Sequence, residues 1–196
     1  MVVIGITGNI GCGKSTVSNI LIERGYKVVD ADIISREIMK DEKTLSEIKR
    51  NFGESVILED GSLDRAKLGS IVFSDDNELI KLNNITHPII KQKTLDQIKC
   101  DRKIVFVDGA LLVEANFLDI LDKLIVIICD QKIQIQRITQ RDKCSIEECK
   151  KRINVQMNQE EKIKYSDYTI DNSSDKYELE NKVNEMIEHI KEKWCV

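Results

Sequence analysis

The sequence has no C-x-x-C pair, no Cys/His cluster, no apolar run long enough to span a membrane and no excess of basic charge. Each absence removes a class of protein. Six cysteines (12, 100, 129, 144, 149 and 195) are scattered along the chain; in a reducing compartment they read as small buried apolar residues, not as disulfide partners or zinc ligands. Cys144 and Cys149 stand five apart with neither histidine beside them, which is not a zinc spacing. The longest clean apolar runs, such as LIVIIC at 124–129, fall far short of the ~20 residues a membrane helix requires. A formal net charge of −4 argues against a binder of duplex nucleic acid. No basic stretch precedes the first apolar run, so no secretory signal is expected and the expected location is the cytoplasm. Repeats and low-complexity linkers are missing too, and there is a single proline.

What is present suits one soluble domain with an inserted subdomain: 196 residues, 41% hydrophobic and 33% charged. Five short Val/Ile-rich runs, VVIGIT (2–7), YKVVDAD (26–32), KIVFVDG (103–109), KLIVIICD (123–130) and SDYTIDN (166–172), are too short for helices and end in polar or turn residues. Helical patterns separate them. In STVSNILIERG, Val17, Ile20, Leu21 and Arg24 keep helical spacing and Gly25 supplies a left-handed stop. This alternation predicts an α/β fold: a five-stranded parallel sheet with helices on both faces. About seventy residues separate the second and third strands, far more than a crossover helix needs. Residues 33–100 are therefore expected to be a helical insertion at the carboxyl ends of the strands, where open α/β sheets bind ligands. Its helical stretches are DIISREIMK, DEKTLSEIKRNFG and one beginning near THPIIKQKTLDQIK, with Thr86 as cap and Pro88 in the first turn. The basic stretch 136–156 is expected to be a mobile flap, and 173–196 an amphipathic helix packed on the sheet through Leu179, Val183, Met186, Ile187 and Ile190.

Residues 8–16, GNIGCGKST, satisfy G-x-x-x-x-G-K-[ST] through Gly8, Gly13, Lys14 and Ser15. Glycines let the backbone curl so that N–H groups from Gly11, Cys12 and Gly13 through Ser15 and Thr16 point at phosphate oxygens, and a helix starting near Lys14 adds its positive dipole end. Lys14 then bridges the β- and γ-phosphates, and the Ser15 hydroxyl sits on Mg²⁺. The loop names ATP and Mg²⁺ as ligands but leaves the acceptor open among water, a protein side chain, a nucleoside and a coenzyme. Cys12 reads as a small side chain that fits the loop; the alternative is a redox-sensitive switch on ATP binding.

Asp30 and Asp32, two apart in a predicted strand end, are candidates to approach the γ-phosphate from the acceptor side, where a carboxylate orients an alcohol and takes its proton late in transfer. Asp108 closes the run IVFVD and fits the strand-end carboxylate that holds Mg²⁺, although strand–Asp–Gly is also a common turn. Arg137 and Arg141 share a helical face, followed by Lys143, Lys150, Lys151 and Arg152. Arg141 is assigned to the γ-phosphate with Arg137 in support, and closure of the flap is expected to keep water from intercepting the phosphoryl group.

In order, GITGNIGCGKST, VVDADIISREI, THPII, VDGALLVE, QRITQRD and YTIDN closely resemble the dephospho-CoA kinase family, over nearly the whole chain from Val2 to Asn172. The loop is common to many kinases; the D-A-D-x-x-x-R, H-P and L-L-x-E stretches are more specific. The resemblance implies transfer of the ATP γ-phosphate to the ribose 3′-hydroxyl of dephospho-coenzyme A. It also implies a three-layer P-loop core (1–32, 101–135, 166–196), a helical coenzyme-substrate domain (33–100) and a lid (136–160). Carried onto this chain, Asp32 lies nearest the acceptor hydroxyl, Arg36, His87 and Glu114 line the acceptor pocket, Arg141 belongs to the lid, and Asp171 and Asn172 lie near the adenine. His87 beside Pro88 also admits a helix-start role. Where the family often has proline before the paired leucines this chain has Ala110, which loosens the loop carrying Glu114. Partners other than dephospho-CoA, nucleic acid and membrane included, are not expected, and a monomer is the expected state with an oligomer left open. The rivals are a nucleoside monophosphate kinase, which does not need those three stretches, a nucleotide switch or motor, and a non-catalytic nucleotide-binding module, which would have lost Lys14 or the acceptor carboxylate, both present here. A GTPase switch would carry N-K-x-D, and the only N-K is followed by Val183 and Asn184.

Overall fold

The computed structural model describes residues 1–99 and 102–194, so Cys100 and Cys195 lie outside the described residues. In chain order the elements are β1 (Val2–Gly8), α1 (Lys14–Glu23), β2 (Lys27–Asp30), α2 (Ala31–Ile38), α3 (Glu42–Phe52), α4 (Arg65–Val72) and α5 (Asp76–Ile98). There follow β3 (Ile104–Asp108), β4 (Lys123–Ile128), α6 (Gln131–Asp142), α7 (Ile146–Asn154), α8 (Gln159–Ile163), β5 (Tyr168–Asp171) and α9 (Lys176–Lys193). Contacts divide them into two compact units, Met1–Asp30 with Ile98–Val196, and Ala31–Gln97. No helix among the described residues is long and apolar enough to cross a membrane.

The first unit is a five-stranded sheet in the order β2-β3-β1-β4-β5, every neighbouring pair parallel. It is an α/β fold of the three-layer P-loop type. Strands covered on both faces need apolar residues at successive positions, which is why β1 (VVIGITG) and β4 (KLIVII) are rich in Val and Ile on both faces. Ile4, Ile6, Phe106, Ile125 and Ile127 pack with Val17 and Leu21 of α1 and with Leu179, Val183, Met186, Ile187 and Ile190 of α9. The C-terminal helix thus buries the stripe its spacing predicts, and α1 stops as expected at Gly25, whose φ is 81°.

The second unit is helical. Ile48, Val56, Leu68 and Val72 form its centre, with Phe52, Leu79, Leu82 and Ile85 against them. Helix α4, which sequence reasoning left unassigned, starts at Asp64, whose side chain accepts from the Lys67 amide.

Two expectations are corrected. The second strand ends at Asp30, and Ala31 and Asp32 open α2 instead of extending the strand, because Ile34 and Ile38 are buried one turn apart and an acid suits a helix first turn. Asp30 and Asp32 therefore do not share a strand face. The helix expected to begin at Thr86 begins at Asp76 and runs through Pro88. Leu79, Leu82 and Ile85 continue its apolar face upstream, so packing carries the helix past a proline that forfeits one backbone hydrogen bond. Thr86 caps nothing: its hydroxyl bonds the Leu82 carbonyl one turn back, and the helix-start role for His87 falls with it.

Candidate active site

Six helices have a side chain on their first free amides: Asp41, Asp64, Asp130, Ser145, Asn158 and Asp175 cap α3, α4, α6, α7, α8 and α9. At α1 the cap position is Gly13, no side chain caps the helix, and no acid lies in its first turn. The positive dipole end of α1 is thereby open to an anion. Two amides expected to point at phosphate are instead bonded within the backbone, Cys12 to the Asn9 carbonyl at 3.1 Å and Thr16 to the Gly13 carbonyl at 3.0 Å, because the loop closes into tight turns there. Gly11 and Gly13 hold φ of 83° and 88°, where an L side chain is strained. A Cβ on Gly13 would also collide with Asn172 Nδ2.

Lys14 is ion-paired with Asp108 Oδ1, and Ser18 Oγ donates to Asp108 Oδ2 at 2.6 Å. Asp108 is almost wholly buried at the carboxyl end of β3, in register with Asp30 at the end of β2. Burial pushes its carboxyl up from the ordinary value and Asp30 adds to this, while Lys14 and Ser18 pull the other way. Lys14 and a carboxylate therefore meet beneath the loop, next to the exposed Ser15.

The outer side of the loop is fastened by carboxamides, none of which sequence reasoning singled out apart from Asn172. Gln156 Oε1 accepts from the Ile10 amide at 2.8 Å, and Gln134 Nε2 donates to the Ile10 carbonyl at 2.7 Å. Asn9 Nδ2 donates to the Met157 carbonyl at 2.8 Å, and Asn172 Nδ2 to the Cys12 carbonyl at 2.8 Å. Gln159 accepts from the Cys12 thiol and bonds both backbone groups of Cys129. Glutamine has no place in the phosphate-loop pattern, so no sequence signal pointed to this clamp. Ser18, one turn after Lys14 on α1, was legible only as a helix position.

Segment 136–160, read as flap and lid, holds most of α6, all of α7 and the start of α8, and it carries Gln156 and Gln159 of that clamp. Arg137 donates to the carbonyls of Asn172 (2.9 Å) and Ser174 (3.4 Å). With Gly13, Thr16, Asn172, Lys176 and Leu179 it lines a cavity of about 220 Å³ on the side of the loop where the adenine was expected. Asp171 folds back on Ser173 through its own carboxylate. Arg141 forks onto Asp142 at 2.7 and 3.0 Å, with Arg152 on the same carboxylate, at the surface.

Glu114 is bound on two sides: it accepts from the Met157 amide at 3.1 Å and pairs with Lys162 at 3.0 Å. Lys162 is completely buried and also donates to the Ala110 carbonyl at 2.9 Å, which receives the Thr7 hydroxyl as well. That lysine ties down the loop after β3 that carries Glu114. Asp32, Arg36 and His87 belong to the helical unit. Asp32 and the exposed Arg36 lie on α2; His87 is half-buried in α5, where burial pulls its imidazole down from the ordinary value.

A family model for dephospho-CoA kinase matches residues 2–178. A dephospho-CoA kinase of Fusobacterium nucleatum is 41% identical over 192 residues, covering 97% of this chain and 99% of that one. One from Listeria innocua is 40% identical over 190 residues, covering 94% and 95%. The solved dephospho-CoA kinase of Campylobacter jejuni superposes with a TM-score of 0.70 at 32% identity, covering 96% of each chain. A shikimate kinase from Bacteroides thetaiotaomicron, at 15% identity and a TM-score of 0.56 over 97% of this chain and 98% of that one, shares the fold alone. By the extent of the family match and the identity to these relatives, the chain belongs to the dephospho-CoA kinase family.

Proposed function

We propose that the chain transfers the γ-phosphate of ATP to the ribose 3′-hydroxyl of dephospho-coenzyme A, giving coenzyme A and ADP in the last step of coenzyme A synthesis. The observation that carries the reading is the uncapped start of α1, with Lys14 held on the strand-end carboxylate Asp108 inside a chain of this family. The loop amides grip the β- and γ-phosphates and Lys14 neutralises charge that spreads over the transferring group. Asp32 orients the acceptor hydroxyl and takes its proton; Arg36, His87 and Glu114 hold the acceptor. The helical unit serves as the coenzyme domain and 136–160 as the lid, with Arg141 leaving Asp142 for the γ-phosphate as it closes.

The donor set fits Mg²⁺. No cluster of three or more His, Cys, Asp or Glu occurs among the described residues, and a nucleotide-borne Mg²⁺ asks for only one or two protein oxygens because phosphates and water supply the rest. Ser15 and Asp108 would hold it. When bound, the ion neutralises the phosphate oxygens.

The test is a coupled assay with ATP, Mg²⁺ and dephospho-coenzyme A, the product identified by mass, beside AMP, CMP and shikimate as rival acceptors. Asp32→Asn is expected to lower kcat by about 10²-fold or more with the KM for ATP little changed. ATP consumption without coenzyme A, or faster transfer to a rival acceptor, overturns the reading; near-normal turnover of Asp32→Asn overturns the role of that carboxylate.

A further inference from the structure

Cys12, in the middle of the phosphate loop, has a second thiol beside it. Cys129 follows β4, and the two sulfurs are 3.5 Å apart. Both side chains are buried, Cys12 completely and Cys129 with 5% exposed. Gln159 spans the pair: its Oε1 receives the Cys12 thiol at 3.3 Å and the Cys129 amide at 3.0 Å, and its Nε2 donates to the Cys129 carbonyl. We propose that Cys12 and Cys129 form a modification site, closing to a reversible disulfide under a peroxide oxidant and releasing the nucleotide phosphates when they do.

Geometry, chemistry and consequence each support it. The sulfurs have to approach by only about 1.5 Å to reach a bonded S–S separation. Cys129 is the more accessible of the two residues, 5% exposed against none for Cys12, and its thiol points at Cys12 sulfur. Cys129 is thus the sulfur that peroxide attacks. One hydrogen peroxide converts the Cys129 thiol to a sulfenic acid and leaves one water. Cys12 sulfur then bonds to Cys129 sulfur, and the Cys12 proton departs with the sulfenic hydroxyl as a second water. Two thiols are oxidised by two electrons and one peroxide is reduced to two waters.

The cradle has no slack to absorb this shift. Gly11 and Gly13 flank Cys12 in left-handed conformations; a Cβ on Gly11 would lie 2.8 Å from Ile138 Cγ1, and one on Gly13 would collide with Asn172. Pulling Cys12 toward β4 takes its thiol off Gln159 and strains both the Asn172 bond to its carbonyl and its own amide's bond to the Asn9 carbonyl, so the loop between Gly11 and Gly13 loses the shape it offers to phosphate. Loss of one charge-assisted hydrogen bond weakens nucleotide binding by about tenfold or more. The inference rests on residues 8–16 being the nucleotide cradle, but its covalent half does not.

The experiment oxidises the purified full chain with limiting hydrogen peroxide, alkylates the remaining thiols and maps all six cysteines by peptide mass. Binding of a fluorescent ATP analogue is titrated before oxidation, after it, and after a dithiol reductant. The expected result is a Cys12–Cys129 linked peptide, affinity down by about tenfold or more, and full recovery on reduction. Cys129→Ala should bind the analogue normally and resist oxidation. A Cys144→Ser/Cys149→Ser variant, which removes the other close pair among the described residues (3.1 Å), should stay as sensitive as the parent. Oxidation that joins only Cys144 and Cys149, that leaves Cys12 and Cys129 unlinked, or that links them with affinity unchanged overturns the proposal. Should Cys129→Ala not fold, the peptide map of the parent chain decides alone.

Discussion

Replacing Lys162 with methionine tests whether the loop after β3 is held by one buried charge. The ammonium has no exposed surface and meets Glu114 at 3.0 Å and the Ala110 carbonyl at 2.9 Å. Methionine keeps most of the volume and removes both contacts. Removing one partner of a buried ion pair costs about 3–5 kcal/mol, chiefly because the other charge is stranded. Glu114 is 23% exposed and keeps its bond from the Met157 amide, and the Ala110 carbonyl keeps the Thr7 hydroxyl, so the cost falls toward the lower end, about 3 kcal/mol. In a chain of this length that lowers Tm by about 6–12 °C.

The readout is built in. The single tryptophan, Trp194, stacks edge-on with His189 at 5.4 Å beneath Lys123, in the same unit as Lys162, so its fluorescence in a urea titration follows that unit. Adding Glu114→Leu to Lys162→Met should recover much of the loss, since no charge is then left stranded. A Lys162→Met variant within about 0.5 kcal/mol of the parent, or a double variant less stable than the single one, refutes the reasoning.

The Asp108 carboxyl is raised by burial, so if its ionised form serves the reaction, kcat/KM should fall with decreasing pH at a value above the ordinary carboxylate range, and a pH–rate profile reads this directly. Stability carries the opposite sign. A folded pKa above the unfolded one means that this group's contribution is present at low pH and lost as pH rises, so Asp108→Asn should melt no lower than the parent at neutral pH while turnover drops by about a hundredfold or more. His87 is lowered by burial, so the unfolded chain binds the extra proton first: stability of the helical unit should decline as pH falls below about 6.5, and His87→Gln should flatten that decline in melting curves from pH 7.5 to 5.

Much of the sheet was legible because β1, β3 and β4 are covered on both faces and have to be apolar along their length. The phosphate loop was legible because its glycines, lysine and serine occupy fixed offsets. Helix boundaries in the insertion were not. Asp32 reads as a strand end until the burial of Ile34 and Ile38 shows a helix, and Pro88 reads as a start until Leu79, Leu82 and Ile85 are seen packed upstream of it. Local propensity set those expectations and tertiary packing overrode them.

The clamp around the loop escaped for a different reason. A backbone curled so that its amides face an anion still has outward-facing groups, and each buried one needs a partner. Ile10 presents an amide and a carbonyl outward, Cys12 a carbonyl, and these are met by Gln156, Gln134 and Asn172 from three separate parts of the chain. A motif encodes only the half of a loop that touches ligand. The other half is encoded wherever the fold brings a carboxamide within reach, so the same GNIGCGKST keeps its inward curl only while those distant side chains hold it. The stiffness they impose is what would turn a small movement of Cys12 into a loss of phosphate binding.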